Sequence, residues 1–513
     1  MPSATFPGRA LPAWPVLVLA GGLIGTTVGI ALVQQPLTVA LLLVGLLVLL
    51  PAFVLEDSTP YWLTLFLVGA HLGVGKSLLD GLKILETLRI DYGPFVFVPE
   101  IRAGDLPLLV LLLFWINDLR LGRGRFYLPA VGWLALGFLG WSALGLVRAP
   151  SRYMALVEFA RQAKFVLIFF YAANNLGSKR MVRWVWLLVL FMVLFQGGVT
   201  IFRFVFNFYD SFFGDLFGRT ILVRGEHADL TLASEGWLGG LRNSFGTTMS
   251  GAVTSQLLLL GLPCAVFAAL RNPLFPRGIA RAIPSCVALT ALLLTLSRSS
   301  VLSGAVTLAL CYVVAVRRGY LPRRVALFVG LAAIVAAAAA TPFVPAFLTR
   351  HPENVDIRLE QYRTAASMIR AHPLLGVGLN NSTGEALRYT RYSYSLIDVG
   401  NRTAETPIHS FPVTLLVEVG LIGGLLYASF FAGIAATASR LGRPPTDPDD
   451  ACSALAFLLG LIGLGMGVLT NPLFDDGVQT FQWVFAGAIV AIAHRIAVVH
   501  PVATAAPGLI RAT

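Results

Sequence analysis

Charged residues are scarce in this chain of 513 amino acids, in which Asp, Glu, Lys and Arg together make up only 12%. A soluble globular domain carries about 25% charged residues, so the composition argues against that class. Hydrophobic residues make up 57% of the chain, and the mean hydropathy is +0.77. Apolar runs recur from one end to the other, and we therefore predict one continuous integral membrane domain over residues 1–513.

Cysteine is also rare, with four residues in the whole chain and no CxxC pair among them. This usage indicates neither a disulfide framework nor a zinc site. The sequence lacks a P-loop and an HExxH motif, which argues against ATP hydrolysis and zinc chemistry. The acidic groups 447–450 and 475–476 have no companion ligands nearby in the sequence, so we predict neither a bound metal nor a cofactor.

About fourteen apolar runs could cross a bilayer, which takes roughly 20 apolar residues folded as a helix. Their approximate bounds are 11–33, 36–55, 61–79, 105–118, 129–147, 153–176, 181–203, 248–270, 280–296, 300–316, 325–345, 408–437, 452–470 and 479–498. The predicted fold is therefore an all-α polytopic bundle of about 12–14 transmembrane helices. The first run could pass for a signal peptide, but its length and the run that follows favour a retained span.

Basic residues in short loops predict the orientation, because Lys and Arg favour the cytoplasmic side. Five such loops fall on one side of the membrane when the runs are threaded in order: 120–125, 179–183, 271–281, 317–324 and 440–443. Both termini are then predicted to be cytoplasmic. Because the net charge of +12 lies mostly in these loops, it does not indicate a nucleic-acid partner.

The long segment 346–407 is predicted to lie on the opposite, outward face. Loops of this length are usually functional or disordered, and the apolar and tyrosine content of this one argues against disorder. Residues 356–371 have helical spacing with arginines interleaved. We therefore predict a folded, partly helical cap, here called the cap.

Arginines near the outward face are the first candidates for chemistry. Arg298 lies between two long apolar runs in Ser297-Arg298-Ser299, where an unpaired charge costs a few kcal/mol. The alternative is an arginine that reaches to the membrane interface. Arg161 follows Glu158 by three residues on a predicted helix, so it is either a phosphate ligand or that carboxylate's partner.

The cap carries Arg358 and Arg363, followed by a segment with Pro373, Gly376 and Gly378. Pro373 is predicted to end a helix, and the glycines allow a tight turn with exposed backbone N–H groups. Such a chain suits an anion, since guanidinium groups bind phosphate bidentately. The alternative is a solvated helix face followed by an ordinary turn.

His409 marks the return of the cap to the membrane, and a neutral imidazole there could act as a general base. The alternative is an interfacial histidine with a satisfied hydrogen bond. Glu418 lies nine residues further along the chain, where a carboxylate needs a partner, and we expect an arginine.

The stretch from Arg358 to Gly424 resembles the signature region of the O-antigen ligase and O-antigen polymerase family. The likeness lies in segment 369–380, in His409-Ser410 and in segment 418–423, and the turn at 297–299 is similar to that family's serine–arginine turn. The family usually has His-Asn where this chain has His409-Ser410, and serine also donates and accepts hydrogen bonds.

The resemblance implies a metal-independent glycosyltransferase of the bacterial inner membrane, with a periplasmic active site. Its donor would be a glycan on polyprenyl diphosphate, and its acceptor a sugar hydroxyl of lipid A-core or of a growing glycan. Ligase, polymerase and protein O-oligosaccharyltransferase all share the pattern. The predicted site residues are Arg298, Arg358, Arg363 and Arg161 for the diphosphate, His409 and Arg298 for catalysis, and Glu418, Gly376 and Gly378 in support.

A transporter or flippase of lipid-linked glycans is the alternative. That class predicts charges spread through the middle of the spans and inverted repeats. In this chain the charges in the middle of the spans are few, the notable ones cluster at the outward face, and no repeat is evident. A purely structural scaffold would not need a large basic cap.

Overall fold

A computed structural model describes residues 58–72, 75–77, 100–206, 251–271, 279–340, 353–386, 388–389, 396–399, 402–405, 408–443, 446–473 and 475–499. The helices in these ranges are α1 Thr59–Leu72, α2 Asp105–Arg120, α3 Ala130–Arg148, α4 Arg152–Asn175, α5 Lys179–Val205, α6 Gly251–Arg271, α7 Ile283–Leu294, α8 Arg298–Arg317, α9 Arg323–Ala340, α10 Glu353–Ala371, α11 Ser382–Ala386, α12 Phe411–Leu441, α13 Pro448–Gly467 and α14 Asp476–Val499. A 3-10 turn, Ile279–Ala282, precedes α7.

Two short antiparallel strand pairs accompany the helices in the described residues. Strand β1 (Gly75–Ser77) pairs with β2 (Glu100–Arg102), and β3 (Leu396–Val399) pairs with β4 (Arg402–Glu405). The second pair lies within the cap.

The predicted helical bundle is confirmed. Each of the twelve apolar runs between residues 61 and 498 contains a helix, and the runs 11–33 and 36–55 lie outside the described residues. The prediction of one helical span over 61–79 is wrong at its end, because the helix stops at Leu72 and residues 75–77 form strand β1. Among the described helices, seven are long and apolar enough to span a membrane: α3, α5, α6, α8, α12, α13 and α14. The protein is a multi-pass membrane protein. Helices α1, α2 and α7 are shorter than the roughly 20 residues that a span needs.

The centre of the bundle consists of α4, α6, α13 and α14, which pack closely because small residues line their crossings. A Cβ atom at Gly487 of α14 would overlap Ala172 of α4. Aromatic rings fill the space beside this crossing, where Phe430 and Trp483 stack with ring centroids 4.9 Å apart. Helix–helix contact within a membrane depends on such close packing rather than on the hydrophobic effect.

Several of the loops rich in Lys and Arg lie together at one end of the bundle, here called the basic end. Lys179 Nζ lies 3.0 Å from Asp447, Arg271 lies 3.5 Å from Asp449, and Arg495 pairs with Asp450. The prediction that the loops 179–183, 271–281 and 440–443 share one end is confirmed. Their cytoplasmic location stays a prediction. The opposite end, here called the site end, carries Arg298 and His409.

Helix α12 is broken at Gly420, whose φ of 69° and ψ of −176° are not helical. The glycine turn, residues 373–378, satisfies the backbone groups that this break exposes. Val377 N donates to Val417 O at 2.9 Å, Gly378 N donates to Glu418 O at 3.0 Å, and Leu421 N donates to Pro373 O at 2.8 Å. A break at membrane depth needs such partners, since lipid offers none.

The glycine turn forms as the sequence predicts, because α10 ends at Ala371 and both Gly376 and Gly378 have positive φ. The expectation that its N–H groups are exposed for an anion is wrong. Gly376 N donates to His372 O, and Gly378 N donates into the broken helix. These donors therefore hold the cap segment against α12.

We expect Gly420→Ala to destabilise the protein by about 3 kcal/mol or more. A side chain disfavours the positive φ, and a Cβ atom there would overlap the carbonyl oxygen of Leu374. Gly465→Ala in α13 is the matched control, because a Cβ atom at that position has open space around it. Thermal unfolding of the two purified variants in detergent checks this. Equal melting temperatures would contradict the role of the glycine turn.

Candidate functional site

Arg298 is the first residue of α8 and lies half-buried at the site end. Leu296 reverses the chain between α7 and α8 with a φ of 50°. Ser300 fixes the turn, since its hydroxyl lies 2.9 Å from Ser297 Oγ and accepts from Ser255 Oγ of α6 at 2.6 Å. The positive end of the helix dipole and the guanidinium charge of Arg298 thus lie in the same place.

Asn471 connects this turn to the segment that contains His409. Its side-chain Nδ2 donates to Ser299 Oγ at 2.7 Å, and its backbone carbonyl accepts from Phe411 N at 3.2 Å. Val468 O accepts from the same Phe411 N–H at 3.0 Å. Sequence reasoning missed Asn471, whose only signal is an amide side chain directly after an apolar run.

The cap helix α10 packs one face against His409. Gln361 Oε1 lies 3.2 Å from the backbone nitrogen of His409 and 3.2 Å from its ring Nδ1. Tyr362 donates its hydroxyl to the carbonyl oxygen of His409 at 3.4 Å. Because Arg358 precedes these residues by three and four positions, all three side chains share one face of the helix.

Arg358 is half-buried, and burial lowers the pKa of its guanidinium. Tyr362 raises this pKa, while the positive charge of Arg298 lowers it. Arg298 lies next to Ser299, which Asn471 connects to the segment after His409. Arg358 shares a face of α10 with Gln361, which contacts His409. Guanidinium groups gathered at one end of the bundle suit an anionic ligand. The structure thus brings together Arg298, Arg358 and His409.

Arg363 lies apart from this group on the exposed side of α10. Its side chain is 66% exposed, and its guanidinium is 3.7 Å from Glu360 Oε2. Glu360 is buried, but the guanidinium side of the pair is open to solvent, which screens the interaction. The role of Arg363 in binding diphosphate stays a prediction.

Arg161 belongs to a buried group of charges, here called the ion cluster. Its members are Arg102, Asp105, Glu158, Arg161, Lys164, Asp475 and Asp476. Arg161 donates to Glu158 at 2.7 Å and to Asp476 at 3.0 Å. Its predicted pairing with Glu158 is confirmed, while its role in binding diphosphate stays a prediction. Sequence reasoning missed Asp476 as the second partner, which lies 315 residues away.

Glu418 accepts a hydrogen bond from Ser382 Oγ at 2.7 Å. The expectation of an arginine partner is wrong within the described residues, where the cap segment after the glycine turn supplies the donor instead. Asn381 anchors the same segment to the start of α4, because its Oδ1 accepts from Ser151 N at 2.8 Å. Glu418 thus joins the broken helix to the cap.

Residues 283–428 match the family model described as O-antigen ligase. The chain carries an O-antigen ligase family domain. The family resemblance expected from the motifs is therefore confirmed. The matched segment begins at α7, includes Arg298, the cap and His409, and ends within α12. A comparison with curated proteins found no match.

The family assignment supports a glycosyltransferase-type enzyme whose substrates are, in general terms, a lipid-linked glycan and an acceptor. The two segments that bring Arg298 and Arg358 together both lie in the matched region. Asn471 and the ion cluster lie outside it. The contacts that join the site end of the bundle therefore extend beyond the matched domain.

Proposed function

We propose that this protein is a glycosyltransferase of the bacterial inner membrane, with its active site on the periplasmic face. It transfers a glycan from polyprenyl diphosphate to a sugar hydroxyl of lipid A-core or of a growing glycan. The observation that carries the proposal is the convergence of Arg298, Arg358 and His409 at one end of an O-antigen ligase family bundle.

The donor of such a reaction is already activated, because its leaving group is a lipid diphosphate. The acceptor oxygen forms a bond to the anomeric carbon while the anomeric carbon–phosphate oxygen bond breaks, and the phosphate oxygen leaves with the electron pair. Arg298 and Arg358 stabilise the charge that develops on that oxygen. Attack opposite the leaving group inverts the anomeric centre, and the reaction requires no metal ion or nucleotide.

In this proposal His409 interacts with the acceptor hydroxyl. A neutral imidazole at the site end accepts the proton of the attacking hydroxyl or aligns that hydroxyl. Glu418, Gly376 and Gly378 support the site by holding the cap segment against α12. Among the predicted diphosphate ligands, Arg298 and Arg358 lie at the same end of the bundle as His409, whereas Arg161 contacts two carboxylates and Arg363 is exposed.

Surface glycans of a deletion strain test the proposal when the strain carries the wild-type protein, Arg298→Ala or His409→Ala. We expect both variants to lose the long glycans on a gel at normal protein abundance. A ligase would leave polymer on its lipid carrier, while a polymerase would leave single repeats on the core. Arg317→Ala is the matched control, because Arg317 ends the same helix at the basic end.

An unchanged glycan pattern in Arg298→Ala or His409→Ala would contradict the role of that residue. A flippase gives a different result in the same strains. Lipid-linked glycan would then stay in the cytoplasmic leaflet, where a reagent added outside spheroplasts cannot label it. Labelling of accumulated lipid-linked glycan from the outside supports the transferase.

A further inference from the structure

Gln361 is buried against His409, with only 3% of its surface exposed. The two residues are 48 positions apart in the chain and meet because α10 packs on the segment before α12. One oxygen, Gln361 Oε1, lies 3.2 Å from the backbone nitrogen of His409 and 3.2 Å from ring Nδ1. These two contacts determine which nitrogen of the His409 ring carries the proton.

The backbone N–H of His409 fixes the orientation of the Gln361 amide. A backbone N–H can only donate, so the amide atom that faces it has to be the acceptor oxygen rather than the NH₂ group. The same oxygen faces ring Nδ1 and has two lone pairs. Nδ1 therefore carries a proton and donates it, and Nε2 of the neutral ring keeps its lone pair.

We propose that Gln361 is a positioning residue, which holds His409 in the tautomer whose Nε2 accepts the proton of the acceptor hydroxyl. This inference rests on the transferase function proposed above. The arrangement has the same logic as a catalytic triad, in which a third group fixes the tautomer and orientation of the base. Here the third group is a neutral amide.

The neutral amide of Gln361 places no charge beside the ring of His409. A carboxylate in its place would stabilise the imidazolium ion and raise the pKa of the ring. Among the described residues, α10 carries Arg358, Glu360 and Tyr362 around Gln361, and α8 begins with Arg298. Gln361 adds no charge to this group, so a shift of the pH–rate profile in Gln361→Glu would report the added carboxylate alone.

Two variants of Gln361 separate positioning from packing. Gln361→Met keeps the size but loses the acceptor, so we expect kcat to fall about 10- to 100-fold with an unchanged KM for the lipid-linked donor. Gln361→Glu keeps the acceptor and adds a charge. We expect it to move the acidic limb of the pH–rate profile upward by about one unit, with activity recovered above that limb.

Tyr362→Phe is the matched control. It removes a hydrogen bond from the same helix to the His409 carbonyl oxygen without touching the ring, so the acidic limb should not move. A packing role for Gln361 would lower the abundance of both Gln361 variants and leave the pH profile in place. An unchanged kcat in Gln361→Met, or an unshifted profile in Gln361→Glu, would overturn the proposal.

Nitrogen NMR of protein labelled in its seven histidines gives a readout that does not depend on activity. His409→Gln identifies the signals of this ring. We expect a protonated Nδ1 and an unprotonated Nε2 in the wild type, and a mixture of tautomers in Gln361→Met. If the wild-type protein transfers no glycan, the proposed function fails. A protonated Nε2 in the wild type would overturn the positioning role alone.

Discussion

Replacing Arg298 with alanine should lower the transfer rate of the purified protein about 100- to 1,000-fold. The loss of one well-placed group that stabilises developing charge has effects of this size in other enzymes. Arg298 is half-buried at the start of α8, at the same end of the bundle as His409, and this position makes it the strongest candidate for that role. Initial rates with a lipid-linked glycan and a soluble acceptor measure the effect.

Two further variants, Arg298→Lys and Arg317→Ala, show whether the loss is specific to the guanidinium group of Arg298. Lysine keeps the charge but cannot bind phosphate bidentately, so its rate should lie between those of the wild type and Arg298→Ala. Arg317→Ala should keep the wild-type rate. If Arg298 and Arg358 stabilise the same leaving group, the double variant should lose less activity than the product of the fold-losses of the two single variants. Full activity in Arg298→Ala would remove Arg298 from the site.

Replacing Asp476 with asparagine should destabilise the protein by about 3–5 kcal/mol. Asp476 accepts from Arg161 at 3.0 Å and from Lys164 at 2.8 Å, and it lies 3.4 Å from Arg102. Asp476 is the carboxylate that contacts all three cations of the ion cluster, and the removal of one partner from a buried ionic group is strongly destabilising. Thermal unfolding in detergent and abundance in membranes measure the effect.

Asp447→Asn is the matched control for Asp476→Asn. Asp447 lies at the start of a helix, as Asp476 does, and its pair with Lys179 is exposed, at 42% for Asp447 and 54% for Lys179. Asparagine can still cap α13, so the loss should be below about 1 kcal/mol. If Asp476→Asn loses activity at normal stability, the ion cluster acts in the reaction. That result would favour Arg161 as a diphosphate ligand.

The sequence predicts the helices well because each apolar run satisfies its own backbone hydrogen bonds as a helix. The shared end of the basic loops could also be predicted, since it depends only on counting spans between them. The conformation at Gly376 and Gly378 could be predicted as a turn. The break at Gly420 could not be predicted, because in the sequence this glycine is one of several small residues in an apolar run.

The candidate site is harder to predict from the sequence, because its residues come together through contacts between segments that are distant in the chain. Asn471 and Ser299 are 172 positions apart, and Gln361 and His409 are 48 apart. No local periodicity links such pairs. The arginines could be selected by residue type and family motif, but only the packing separates half-buried Arg358 from exposed Arg363 and from Arg161 in its ion cluster.

The most direct test of the proposed transfer uses purified protein in lipid nanodiscs. The protein is mixed with a polyprenyl-diphosphate-linked glycan and lipid A-core, or with a second lipid-linked repeat, in the presence of a metal chelator. We predict that the joined glycan and free polyprenyl diphosphate form in equal amounts with the wild type and much more slowly with Arg298→Ala. A lipid-linked glycan that stays intact with both acceptors, while the protein is folded, would contradict the transferase function.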